Sequence, residues 1–222
     1  MNIKSWFRGF SAMVIALILS FMFCNLPAHA FVRADYEKLM ITNACINCDL
    51  SGADLSNKDL YGSALSGANL SVANLSGALL NDAKLSGANL TNANLSGGLL
   101  MGVDFTSANL TEANLSNADL YNAILSRANL TKANLNSSTL DSSVATEANF
   151  SNAILTGAKL QAIVLSRANL SNADFSNSKM RNSRLMSSNL QGAKFFGTDL
   201  SNSVMPDSTT YNGSVSRFGA TN

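Results

Sequence analysis

From Leu50 to Met205 an apolar residue returns at every fifth position without a slip in register. Of these 32 positions, 31 hold Leu, Phe or Met, and the exception is Ala145. An α-helix repeats at about 3.6 residues and a half-buried strand at about 2, so a spacing of five suits neither. Two residues before each centre a small side chain recurs, Ala at 19 positions and Ser at seven. Asn or Asp prevails just before the centre and Ser or Thr just after it, giving the unit A-[N/D]-L-[S/T]-x.

A unit this short cannot bury an apolar face alone and must stack on its neighbours. If each unit makes one short strand and one turn, four units close a square coil. One small and one large side chain per unit then point inward. Asn, Ser and Gly supply the turns, because Asn and Gly tolerate unusual backbone angles. Successive coils would lie about 4.8 Å apart, the spacing of paired strands. A longer stride favours four sides independently: Asn stands at every twentieth position from Asn69 to Asn189, and Ala at every twentieth from Ala53 to Ala193.

With stretches such as "SGANLTNANLSG" and "ADLYNAILSRANLTKANL" (118–135), the chain resembles the pentapeptide-repeat family. The flanks "NACINCDLSGADLS" (43–56) and "GTDLSNSVMPDST" (197–209) are similar to the entry and exit segments of members from photosynthetic bacteria. The resemblance implies an all-β fold, a right-handed quadrilateral β-helix of about eight coils with a short N-terminal cap. On this reading residues 1–30 are a signal peptide, 31–47 the cap, 48–207 the repeats and 208–222 a C-terminal tail. Helix is expected only in the cap, around "ADYEKLMIT" (34–42).

The leader has its own signature. Lys4 and Arg8 precede the apolar run "FSAMVIALILSFMF" (10–23), and Ala28 and Ala30 suit cleavage before Phe31. The run is shorter than the roughly 20 residues a membrane span needs, so a retained anchor is disfavoured. Cleavage would remove Trp6, Cys24 and His29, leaving no histidine in the mature chain. No imidazole is then available as general base or metal ligand. The charge becomes 13 basic against 14 acidic groups, the 15 basic residues less Lys4 and Arg8. Export points to the thylakoid lumen or periplasm.

Cys45 and Cys48 form C-x-x-C. Redox chemistry of the thioredoxin kind needs a βαβ context, and a zinc site needs two further ligands. A structural pair in the cap, oxidised in an exported protein, is the expectation. No cofactor, metal site or catalytic constellation is expected.

Two faces keep their Asn and Ala monotonously, while the other two depart from the pattern. Ile124, Val144 and Val164 stand where Asn is expected, and Leu79, Leu99, Met101 and Tyr121, with Tyr61, occupy outward positions. Together they are the candidate interaction patch, an apolar band across one corner. Arg127, Glu147 and Arg167 should stack with alternating charge beside it. Lys58 and Ile163 occupy inward small slots; Lys58 should escape through the open end, and Ile163 should compensate for Ala145. Lys179, Arg181, Arg184 and Lys194 cluster towards the C-terminal end, which on a functional reading is a docking end for an acidic partner or a lipid surface.

The function expected is a non-enzymatic scaffold for an unidentified protein partner or for a second copy, with no nucleic acid and no membrane contact beyond the leader. DNA mimicry directed at a topoisomerase, an activity within the family, is disfavoured by the balanced charge and the export signal. Ice or mineral binding is a further alternative, through the ladder Ser51, Ser71, Thr91, Thr111, Thr131, Ser151 and Ser171.

Overall fold

A computed structural model describes residues 32–221. The leader, and with it the cleavage expectation, lies outside the described residues. The backbone makes one hydrogen-bonded turn per five residues. In the first complete unit, the Ala53 N–H donates to the Leu50 carbonyl at 3.0 Å, and Gly52 between them has φ 69°. A positive φ at the third residue of such a turn is the type II signature. Every fifth residue from Asn47 to Asn202 repeats it. Gly and Asn suit that position, but the same conformation is imposed on Glu112, Arg127, Lys132 and Ala162. Stacking, not local preference, therefore sets the backbone at these corners.

Val72 is the extreme case, a β-branched residue at φ 60° on an exposed corner. The left-handed region disfavours L-residues by about 1–2 kcal/mol, and branching at Cβ worsens it. Val72→Asn should therefore stabilise the fold by about 1 kcal/mol, read as a shift in the urea midpoint at unchanged slope.

Between turns, each unit contributes one bridging residue that pairs in parallel with the residue 20 positions on. The bridges sort into four columns, which are the four faces of the coil. One runs from Ala44 through Ala64, Lys84 and Asp104 to Ile124, Val144, Val164, Arg184 and Val204; a second runs Asp49, Asn69, Asn89 and on to Asn189. The third starts Asp54, Asn74, Asn94 and the fourth Asp59, Leu79, Leu99. The 20-residue stride is thus the physical repeat.

Inside the coils the large centres are fully buried, as are the small residues two positions earlier, with few exceptions. Ala145 and Ile163 are both buried; Lys58 is exposed at the first coil, where no earlier rung covers its slot. Seven of the small slots hold buried serines. Ser138, Ser143 and Ser188 donate to the carbonyl three residues back, each at 2.7 Å. Ser63 and Ser178 have no partner for their hydroxyls. A buried unsatisfied hydroxyl costs about 1–3 kcal/mol. Ser63→Ala and Ser178→Ala should each raise stability by about 1 kcal/mol, whereas Ser138→Ala should not; chemical denaturation distinguishes them.

Both ends are closed. Helix α1, Arg33–Thr42, buries Leu39 against the first coil. It stops at Asn43, whose left-handed backbone returns its N–H to the Leu39 carbonyl. The Asp35 carboxylate accepts the Asp49 N–H at 2.8 Å, tying α1 to the first rung. Cys45 and Cys48 are joined by a disulfide just after the helix. Their sulfurs lie within 4.8 Å of the Asp35 carboxylate, but bonded to each other they offer no thiolate for a metal.

The C-terminal segment departs from the expectation of a tail. It folds back over the last coil: Thr221 pairs with Lys194, Val204 pairs with Thr210, and Val215 and Ala220 are buried. The last coil leaves apolar centres and unpaired rungs facing outward, and this segment covers them. Among the described residues no helix is long and apolar enough to cross a membrane.

Candidate functional site

Two columns are polar ladders. Asn89 donates to Asn69 Oδ1 at 3.2 Å and Asn114 to Asn94 Oδ1 at 3.2 Å. Each such Oδ1 also accepts the backbone N–H two residues on, as Asn129 does from Thr131 at 3.2 Å. These side chains are consumed in holding turns and neighbouring coils. The hydroxyl ladder is consumed as well. Thr111 donates to Asn109 Oδ1 at 2.6 Å and accepts from Asn129 at 2.9 Å. Most donors and acceptors of this surface are engaged with their neighbours, which weakens the case for ice or mineral binding.

The other two columns meet at the corner that carries the departures. Leu79 and Leu99 are bridge partners in one; Ile124, Val144 and Val164 are successive partners in the other. Tyr61, Met101 and Tyr121 sit on the turns joining the two columns. The result is a diagonal band from Leu79 to Val164. Ile124 and Val144 are 42% and 38% exposed, while Val164 is half-buried and so contributes less than its partners.

At the corner the band opens into a shallow groove of about 430 Å³. Tyr61, Met101 and Tyr121 form its apolar wall, and Asn81, Asp82, Gly102 and Asn122 its polar lining. The Tyr61 hydroxyl donates to Asp82 Oδ2 at 3.0 Å, and this bond to a carboxylate raises the phenol above its ordinary value. Asn81 Oδ1 accepts the Met101 N–H at 2.9 Å. Gly102 has φ 65°, and a Cβ there would fall 2.5 Å from Asp82 Oδ1, so a larger residue would displace the Asp82 carboxylate. The polar lining escaped the sequence reading, although a 20-residue stride from Tyr61 and from Gly62 reaches every one of these residues. Four further exposed apolar residues of the repeats were also missed, Ile154 on a ladder column and Val72, Met186 and Phe196 on turns.

Arg127, Glu147 and Arg167 stand one above another with alternating charge, but only one of the two steps is an ion pair. Arg167 donates twice to Glu147 Oε1, at 2.9 and 2.7 Å, but Arg127 reaches back to Ser107 Oγ at 3.4 Å and not forward to Glu147. Arg127 thus bonds the hydroxyl one coil below it, and Glu147 pairs with Arg167 one coil above. In the C-terminal cluster, Arg181 pairs with Asp199 and Lys194 with Asp174. Donation from the Ser201 hydroxyl, then from Arg181, holds the Asp199 carboxyl down at about 2. Two of the four cations are thus internally neutralised, and Lys179 and Arg184 form no ion pair among the described residues.

The family profile described as pentapeptide repeats matches residues 45–82, 59–97, 99–136, 123–161 and 163–202. The chain belongs to the pentapeptide-repeat family. The fold of that family is the right-handed quadrilateral β-helix, in agreement with the four columns of bridges. Among solved structures, a trypsin-treated form of QnrB1, a plasmid-mediated fluoroquinolone resistance protein, superposes with a TM-score of 0.52. It shares 24% identity over 67% of this chain and 78% of its own. HetL, a pentapeptide repeat protein involved in heterocyst differentiation regulation in the cyanobacterium Nostoc, is 29% identical. The match covers 73% of this chain and 86% of HetL, with a TM-score of 0.36. A pentapeptide repeat protein of the Arabidopsis thaliana thylakoid lumen is 27% identical over 56% of this chain and 70% of its own, with a TM-score of 0.24. No curated protein sequence matches the chain. Pentapeptide-repeat proteins are generally non-enzymatic interaction scaffolds.

Proposed function

We propose that this pentapeptide-repeat protein is a non-enzymatic docking scaffold of about eight coils, working after export in the thylakoid lumen or periplasm. The observation that carries the docking reading is the gathering of apolar departures on one corner. There Leu79, Leu99, Met101, Tyr121, Ile124 and Val144 are all exposed around an open groove, while the adjoining ladders spend their polar groups internally. Leaving apolar surface in water is unfavourable by about 25 cal/mol per Å², so a partner that covers this band is rewarded. The export reading rests on the leader sequence and the Ala28–Ala30 cleavage pattern. The topoisomerase-directed alternative has no support at this corner, where Lys159, Lys179 and Arg184 interrupt any carboxylate track.

The test is the triple variant Ile124→Asn, Val144→Asn and Val164→Asn. It gives this column, at three successive rungs, the residue that forms the ladders of the two asparagine columns, and should keep the fold by circular dichroism. Crosslinking and co-purification from native soluble and membrane fractions should then lose the partners of the parent. A folded triple variant that retains all of them would show that the band is surface variation and that docking lies elsewhere.

A further inference from the structure

The proposal of a docking corner leaves the occupant open, and the column of bridges beneath it narrows the choice. Reading outward residues along that column, the order is Asp104, Ile124, Val144, Val164, Arg184, each a bridge partner of the next. An acid, three apolar residues and a base form a sequence that is its own complement when reversed. Laid against an inverted copy, Asp104 meets Arg184, Ile124 meets Val164, and Val144 meets itself on a two-fold axis. Arg184 is exposed and forms no ion pair among the described residues, so it is available to such a contact. The other columns lack this property. Two are largely asparagine, and in the fourth the run Asp59, Leu79, Leu99, Asp119, Thr139, Lys159, Lys179 brings Asp119 against its own copy when Asp59 is set on Lys179.

Resting on the docking reading, we propose that this face binds a second copy of the chain, antiparallel, about a two-fold axis at Val144. A two-fold contact uses the same patch on both copies. An apolar centre flanked by opposite charges meets that requirement in the antiparallel sense alone. The parallel arrangement sets Asp104 on Asp104 and Arg184 on Arg184, and like-charge contacts suppress it. Lys84 lies one rung beyond Asp104 and would meet Val204. At the edges Asp141 and Glu147 would each face their own copies and Arg127 would face Arg167, but these groups lie at the rim, where solvent screens charges, and not in the column itself as Asp119 does. The four steps from Asp104 to Arg184 span about 19 Å. One face of that length lies well below the ~1,200 Å² of stable complexes, so the dimer is weak and forms with rising concentration.

The experiment uses the full chain in a Cys24→Ser background, with the Cys45–Cys48 disulfide intact. Sedimentation velocity over a concentration series should show a monomer–dimer equilibrium. Asp104→Arg and Arg184→Asp should each weaken it about tenfold or more, and the two together should restore it. A short bismaleimide should link Val144→Cys to itself, and Ile124→Cys to Val164→Cys when the two variants are mixed. Ile124→Cys linking to itself but not to Val164→Cys would mean a parallel pair and would overturn the proposal. So would a chain that stays monomeric at every concentration. If the chain stays monomeric while the triple asparagine variant still loses a foreign partner, self-pairing fails and the docking corner stands. If dimerisation survives the triple variant, the chain pairs through another surface and this proposal is overturned, while the docking corner is judged by the loss or retention of foreign partners.

Discussion

Leu110→Ala should destabilise the protein by about 2–5 kcal/mol, the range for deleting a buried leucine side chain beyond Cβ. Leu110 is fully buried, and its neighbours at the same height and on the rungs either side are centres of the same kind, Leu90, Leu115 and Leu130. The coil cannot collapse onto the space, because its backbone is held by rungs such as Leu110 N–H to the Asn129 carbonyl at 2.7 Å. The cavity therefore persists and the cost belongs near the upper part of the range. In a stack where each unit touches only its neighbours, a weak coil in the middle also separates the two halves. The denaturation transition should broaden as well as shift. Leu99→Ala, on the exposed corner, is the control and should change stability by less than about 0.5 kcal/mol. Equal midpoints for the two variants would refute the assignment of the five-residue centres to the interior.

Ending the chain after Asp207 should have a comparable or larger effect. The deleted segment carries Val215 and Ala220, both buried, and partly buried Tyr211 and Phe218 packed against the core. Burial of a valine side chain alone is worth about 1.5–3 kcal/mol. The segment also supplies rungs to the last coil. The Phe195 N–H donates to the Thr221 carbonyl at 2.7 Å and the Gly192 N–H to the Gly219 carbonyl at 2.8 Å. Without it, the stacked pair Phe175 and Phe195, with centroids 5.1 Å apart, loses cover at its outer end. Open rungs beside apolar surface are a template for end-to-end association. The truncated chain should melt lower and scatter light on concentration, and Val215→Ser should reproduce part of the loss without removing rungs. A truncated protein that remains monodisperse with an unchanged melting temperature would mean that the end needs no cap.

Much of this molecule is readable without coordinates. Contacts in a stack recur at a constant offset, so an unbroken register from Leu50 to Met205 states which residues lie inside and which are 20 positions apart on one face. The pairing of Leu79 with Leu99 and of Ile124 with Val144 and Val164 follows from that arithmetic. The cap helix falls close to its expected place, Arg33–Thr42 against 34–42.

What the arithmetic omits is how side chains choose among neighbours at one height, and how the ends are closed. Arg127 takes Ser107 over Glu147, and Tyr61 takes Asp82, because reach and rotamer decide between partners that the period treats alike. The groove is lined by two neighbouring stacks, Tyr61, Asn81, Met101 and Tyr121 beside Asp82, Gly102 and Asn122, and its volume depends on how those side chains turn. Val72 and Ala162 adopt the left-handed turn against their own preference, since the rungs on both sides outweigh one residue's backbone energy. The segment after Asp207 has no period to read. Its place over the last coil is set by the exposed apolar end it covers, and that surface exists only once the coils have stacked.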